Sequence, residues 1–309
     1  MTTPNMIDID CYLSFKREAG DRWQATAREP GFSVQRMLDV MDANHIAQTV
    51  FSQADLAVAR DAALARGHNE HTARLVSGHP GRFGAFAALP VADTDQTLKE
   101  IEYALDTLKL DGVCLPSNIE GVYLGNARFD RIWEELDRRR VVVLIRPTHP
   151  AYFDVKPAEH ETMEFMFDIT RAATSLVYSK SRRRYPGARV ILTHGGGALP
   201  FLAWRLGYFA TIFGMDRHEI EPYENVLDDI RSFHFALTTA ATPHTLPSIL
   251  KLVGAERLMM GFDVPKVQTD TYKAPQQYIQ NDAGLTDAQK LMIQSGTARK
   301  LIPRLATLS

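Results

Sequence analysis

The chain is poor in the features that assign a protein quickly. It has two cysteines, Cys11 and Cys114, in 309 residues. Neither stands in a Cys-x-x-Cys pair, so no disulfide framework and no thiolate metal centre is written in it. The expectation is two buried thiols in strands. No run of about 20 apolar residues occurs, which leaves no helix to span a membrane. The opening stretch from Met1 to Asp8 is too short and too polar for a secretion signal, so a cytoplasmic location is expected. An excess of one charge is missing as well, with 35 Lys and Arg against 37 Asp and Glu. That balance argues against nucleic acid and against an anionic membrane as partners, and leaves a small molecule as the expected ligand.

Two further absences narrow the fold. Asp10-Cys11-Tyr12, after the first apolar run, is not a Gly-rich phosphate loop, which argues against a doubly wound dinucleotide fold. The string His194-Gly195-Gly196-Gly197 occurs in lipase-like hydrolases, but the Gly-x-Ser-x-Gly elbow that fold needs is lacking. No linker rich in Pro, Gly or Ser divides the chain, so residues 1–309 are expected to form one domain.

What is present is an alternation. Short apolar runs at Met6–Cys11, Ile46–Ser52, Arg82–Leu89, Gly112–Leu115, Val141–Arg146, Arg189–His194, Ser232–Leu237 and Arg257–Phe262 predict strands. Helical patterns between and after them cover Ser33–Asn44, Ala57–His79, Asp95–Leu108, Ala127–Arg140, Glu159–Tyr185, Leu199–Phe213, Pro243–Val253 and Thr286–Leu301. Ser33 is expected to cap the first helix. Eight βα units predict a closed parallel (β/α)₈ barrel, with its pocket at the carboxyl ends of the strands. Long irregular stretches at about 13–32, 148–158 and 264–283 are expected to form the loops around that mouth. Trp23, Tyr152 and Phe153 fall in them and favour a flat, cyclic ligand.

The strand ends, taken in order, are polar: Asp10 and Tyr12, Ser52, Asn118, Arg146, His194, Thr238 or Thr239, and Asp263. His194, at a glycine turn, has the chemistry of a general base, a hydrogen-bond donor or a metal ligand. Asp263 could bind a metal or move a proton, or simply cap a turn. Elsewhere the bland reading prevails. Phe129, Trp133 and Leu136 have helical spacing and are expected to pack on the barrel. Trp204 and Tyr208 are expected to do the same, with pocket lining as the alternative. Arg182-Arg183-Arg184 reads as a solvated helix end, and His68 with His71 as a surface pair.

Several strings carry a resemblance. The opening Ile7-Asp8-Ile9, then His194-Gly-Gly-Gly-Ala-Leu-Pro, Gly261-Phe262-Asp263-Val264-Pro265, His79-Pro80-Gly81-Arg82-Phe83-Gly84 and Ser295-Gly296-Thr297-Ala298-Arg299 resemble the amidohydrolase-related decarboxylases. These include proteins similar to 6-methylsalicylate decarboxylase and to amino-carboxymuconate-semialdehyde decarboxylase. The resemblance implies a (β/α)₈ barrel of amidohydrolase type, small cyclic carboxylic acids as substrates, one divalent metal and frequent homodimers. The chain departs from the pattern at the metal. Where the family has His-x-His, this sequence has Asp10-Cys11-Tyr12. Where the family has a further His before Pro, it has Arg146-Pro147.

Arg146 stays protonated and cannot ligate a metal. The expectation is therefore an enzyme without metal. Arg146 would hold a cyclic or aromatic carboxylate, His194 and Asp263 would move a proton, and Asp10 would balance the guanidinium. Tyr12, Asn118, Ser52 and Thr238 are the expected substrate contacts. The alternatives are a non-catalytic binding protein on the same fold, and a zinc or manganese enzyme with an unusual ligand set drawing on His149 or His234.

Overall fold

The computed structural model describes residues 6–12, 14–17, 23–26, 32–148, 160–214, 219–264, 273–281 and 284–306. Eight strands run in one parallel sheet: β1 (Met6–Tyr12), β2 (Ile46–Ser52), β3 (Phe83–Ala88), β4 (Gly112–Pro116), β5 (Val142–Arg146), β6 (Arg189–Leu192), β7 (His234–Ala236) and β8 (Leu258–Met259). Neighbours in sequence are neighbours in space. The sheet closes where the Ile9 amide donates to the Met260 carbonyl at 3.0 Å. The fold is a (β/α)₈ barrel.

Alternation along the strands builds two cores. Ile7, Ile9, Val50, Phe86, Cys114, Val142, Leu144, Ile191, Ala236 and Met259 fill the barrel interior. The intervening residues, such as Val113, Leu115, Val143, Ile145, Val190 and Leu192, pack outward against the helices. Strands buried on both faces read as the near-continuous apolar runs seen in the sequence. Ala298, Leu301, Ile302 and Leu305 join the interior cluster. They plug the amino-terminal end of the barrel.

The principal outer helices are α1 (Val34–Ala43), α2 (Ala62–Gly78), α3 (Thr94–Glu102), α4 (Asp130–Arg138), α5 (Phe165–Tyr178), α6 (Leu199–Phe213), α7 (Leu246–Val253) and α8 (Thr297–Leu301). Ser33 caps α1 by accepting from the Arg36 amide. Phe129, Trp133 and Leu136 are buried as expected, and the Trp133 indole donates to the Leu124 carbonyl at 2.8 Å. The predicted helix Ala57–His79 is broken at Asp61, whose side chain caps α2 by accepting from Ala63 and Leu64. Cys11 and Cys114 are free and buried.

Three readings of burial are corrected. Trp204 and Tyr208 do not pack on the barrel; they are 60% and 43% exposed. α6 is apolar almost all round, and periodicity alone cannot say which side of such a helix faces in. Arg182 is buried, donating to Ser232 and the Ala188 carbonyl, while Arg183 and Arg184 pair with Asp229 and Asp130. His68 is buried as well. Among the described residues no helix is long and apolar enough to cross a membrane. Residues 14–17 and 23–26 form an antiparallel pair within the first long loop. The stretch 149–158 and residues 265–272, with His149, Tyr152 and Phe153, lie outside the described residues.

Candidate active site

The strand ends converge as the barrel geometry requires. The Arg146 side chain, from the last residue of β5, is 4% exposed and lies between two acids. Its Nη1 pairs with Asp10 Oδ1 and its Nη2 with Asp263 Oδ1, both at short range. Nη1 also donates to Ser52 Oγ at 3.2 Å. These bonds use three of the five guanidinium N–H groups. The guanidinium lies 4.6 Å from the centre of the Tyr12 ring. Asp10 receives two more donors: Thr238 Oγ1 at 2.6 Å on Oδ2 and Ser52 Oγ at 3.3 Å on Oδ1. Gly261 makes room for this cluster, since a Cβ there would sit 2.5 Å from Thr238 Oγ1.

Above the guanidinium opens a cavity of about 290 Å³ lined by Tyr12, Ala54, Asp55, Leu56, Arg146, Pro147, Thr148, Phe165, His194 and Asp263. That volume takes one substituted ring. His194 Nδ1 lies 3.3 Å from Thr239 Oγ1. His194, Thr239 and Asp263 all have positive φ, at 52°, 56° and 56°. Non-glycine residues adopt that region rarely, and such conformations gather at functional sites. Burial raises the pKa of the Tyr12 phenol above its usual range, with Asp55, Cys114 and Asp263 adding to the shift, so Tyr12 remains a hydrogen-bond donor.

Of the residues expected at the mouth, Asp10, Tyr12, Ser52, Arg146, Thr238 and Asp263 form one contact network, and His194 shares the cavity wall. Ser52 and Thr238 lie beneath Asp10 and do not line the cavity. Asn118 is displaced from the expected role. It is fully buried behind Thr148, donating to Thr148 Oγ1 at 2.9 Å and to Asp168 Oδ1 at 3.0 Å. A strand-end position alone does not distinguish a residue on the wall from one behind it. His234 stands at the start of β7, at the far end of the barrel beside Arg257, and cannot reach the mouth.

Two buried acids were not anticipated. Asp8 Oδ1 accepts from the Asp10 and Phe262 amides, and burial raises its pKa to about 8. Its position two residues before Asp10 was the available signal. Asp168, in the first turn of α5, is fully buried. Burial pushes its carboxyl pKa up against the pull of donors from Ser117, Thr148, Tyr123 and Asn118. A lone acid in Phe165-Met166-Phe167-Asp168-Ile169 was the signal there.

Among the described residues this arrangement does not fit a divalent ion. The two carboxylates at the floor are already bridged by a cation that cannot give up its charge, and a second cation would be repelled by it. Among the described residues no group of three or more His, Cys, Asp or Glu is placed to hold a metal ion.

Residues 7–304 match the family model described as amidohydrolase. The chain is 35% identical over 255 residues to the 6-methylsalicylic acid decarboxylase of Penicillium expansum, covering 80% of this chain and 77% of that one. It is 26% identical over 219 residues to a gamma-resorcylate decarboxylase of Rhodococcus jostii, covering 65% of this chain and 66% of that one. Among solved structures, a dihydroxybenzoic acid decarboxylase from Polaromonas sp. JS666, with bound manganese and 2-nitroresorcinol, superposes with a TM-score of 0.76 at 20% identity and 96% coverage of both chains. With the barrel, the strand-end site and these matches in hand, the chain belongs to the amidohydrolase-related family of decarboxylases.

Proposed function

We propose that the protein removes the carboxyl group of a small aromatic acid by acid–base chemistry, with Arg146 doing what a divalent ion does elsewhere in the fold. The observation that carries this reading is the guanidinium seated between Asp10 and Asp263 beneath the cavity that His194 lines. The substrate class follows from the relatives, whose names specify salicylic- and resorcylic-type acids. The N–H groups of Arg146 not used on Asp10, Asp263 and Ser52 grip the carboxylate or a neighbouring phenol oxygen. Tyr12 donates a further hydrogen bond to the same oxygens. His194 protonates the ring carbon that bears the carboxylate, with Asp263 as the second proton-transfer group on the wall. The bond to the carboxylate then breaks, its electron pair restores the aromatic ring, and carbon dioxide leaves. His194 regains its proton from water. Phe165 and Leu56 give the ring an apolar wall.

The test is turnover of salicylate and 6-methylsalicylate by the purified protein with chelator present. Arg146→Ala and His194→Ala are each expected to lower kcat/KM by about a hundredfold or more. Rates equal to the parent in both variants would end the reading.

A homodimer belongs to the same proposal. Of the large apolar side chains exposed among the described residues, Phe201, Trp204, Tyr208, Ile212 and Phe213 lie on α6, with Met163, Phe167 and Ile220 close to it in sequence or packing; Leu291 is the exception. At roughly 200 Å² per side chain the exposed part approaches about 900 Å², beyond the patch a monomer usually leaves in water and near one partner's share of a stable interface. Arg205 is the only charged residue in α6, so two copies with a net charge of −2 meet there without repulsion between acids. A twofold contact needs one such self-complementary face. Sedimentation should give a dimer for the parent and a monomer for Trp204→Glu with Phe201→Glu; a monomeric parent would remove the dimer and leave the chemistry untouched.

A further inference from the structure

Asp168 does not line the cavity, and the acid–base reading makes no use of it. Its setting nevertheless demands an account, because an acid removed entirely from water is costly unless it is fully bonded. Here it is. Oδ1 accepts from Asn118 Nδ2 at 3.0 Å and from Tyr123 Oη at 2.9 Å. Oδ2 accepts from the Thr148 amide at 3.0 Å and, at short range, from Ser117 Oγ. Four donors fill the acceptor sites that an ionised carboxylate offers.

The donors come from three separate places. Ser117 and Asn118 follow β4, Tyr123 lies in the short hairpin after it, and Thr148 follows β5. The Ser117 amide itself donates to the Arg146 carbonyl at 2.8 Å. Ser117 Oγ and Thr148 Oγ1 are 3.1 Å apart, and Asn118 Nδ2 reaches Thr148 Oγ1. The segment Arg146-Pro147-Thr148, which forms one cavity wall, is therefore held at both ends by groups bonded to one carboxylate. Phe165, on the same wall, is three residues before Asp168 on the same helix.

We propose that Asp168 is a positioning residue: its carboxylate fixes the turn after β5, and through it the guanidinium of Arg146 and the wall formed by Pro147 and Thr148. The inference rests on the reading of Arg146 as the group that holds substrate. It explains why a helix outside the barrel sends an acid inward at this one point.

Asp168→Asn is the informative variant. It keeps the size but turns an amide NH₂ toward two donors, so one oxygen's bonds are lost. Two readouts are needed, hydrogen exchange at the Ser117 and Thr148 amides and the Kd for salicylate, alongside Arg146→Ala. The proposal expects exchange at those amides to rise about tenfold, with the amides of β6 unchanged, and the Kd for salicylate to rise about tenfold. Asp168→Glu should recover part of both. Unchanged exchange at Thr148 would overturn it. So would a Kd within twofold of the parent while Arg146→Ala abolishes binding. If Arg146→Ala binds salicylate like the parent, the substrate-holding role fails, and exchange alone decides whether Asp168 fixes the turn. Should Asp168→Asn fail to fold, Tyr123→Phe removes one donor from Oδ1 without a buried charge change. It is expected to raise exchange at Thr148 two- to threefold, and no rise there would also overturn the proposal.

Discussion

At the base of the barrel, Arg304 grips Asp111 with two hydrogen bonds, 2.7 Å from Nε and 2.6 Å from Nη2. At the mouth, Arg146 is gripped by Asp10 and Asp263. The chemistry of the pairs is alike and their surroundings are opposite. Asp111 also accepts from the Ala85 amide at 2.8 Å, and Arg304 donates to the Phe83 carbonyl. The base pair thus staples the C-terminal plug to the strand starts, beside the packed apolar core. The mouth pair faces a cavity and is ringed by residues of positive φ. Burying ions rarely stabilises a protein more than apolar packing would. The base pair is about one-third open to water on its arginine side, whereas the mouth triad is enclosed. The role proposed for the enclosed cation is to bind substrate in the cavity beside it.

That contrast can be broken by mutation. Arg146→Ala leaves Asp10 and Asp263 buried without their cation. The expected loss is about 3–5 kcal/mol of stability, read by denaturant unfolding, together with the loss of salicylate turnover. Asp111→Ala should cost less, about 1–3 kcal/mol, because it leaves the Ala85 amide unpaired. It should leave KM for the same substrate unchanged. If Asp111→Ala altered KM as strongly as Arg146→Ala, the division of labour between the two ends would be wrong.

The two ends also respond to pH in opposite senses. At the mouth, burial raises the Asp8 pKa to about 8 from 3.8, so the folded state holds a proton that the unfolded chain releases. The stability this contributes is complete below pH 3.8 and is lost as pH rises to about 8. At the base, burial together with Arg257, Arg182 and Arg189 lowers the His234 pKa to about 3 from 6.5. The neutral ring's contribution is complete above pH 6.5 and is lost as pH falls toward 3. Each group changes stability by at most about 1.4 kcal/mol per pH unit. Asp8→Asn should remove the fall in stability as pH rises from 3.8 to about 8, and His234→Gln the loss as pH falls from 6.5 toward 3. Profiles with unchanged slopes would show that neither group is held neutral.

The barrel was legible because strands buried on both faces leave long apolar runs, and because most of the runs end in a polar residue or directly before one. Arg146 stood out for the same reason: a charged residue directly after Val142-Val143-Leu144-Ile145 has only the barrel mouth to point into. Asn118 was misread because strand-end residues face either the cavity or the network behind it, and spacing does not separate these. Asp168 was missed because its partners, Ser117, Tyr123 and Thr148, are 51, 45 and 20 positions away in sequence. Trp204 and Tyr208 were misplaced because a helix without a polar face carries no mark of its inner side. A network closed only in three dimensions leaves no periodic trace.

Arg146 is proposed to stand in place of a metal ion. The most direct test is elemental analysis of the purified protein, before and after exposure to excess manganese and zinc, on samples whose salicylate turnover is measured in parallel. The expected result is no metal in proportion to the chain, no uptake, and turnover indifferent to chelator. One tightly held ion per chain, with turnover lost on its removal, would contradict it.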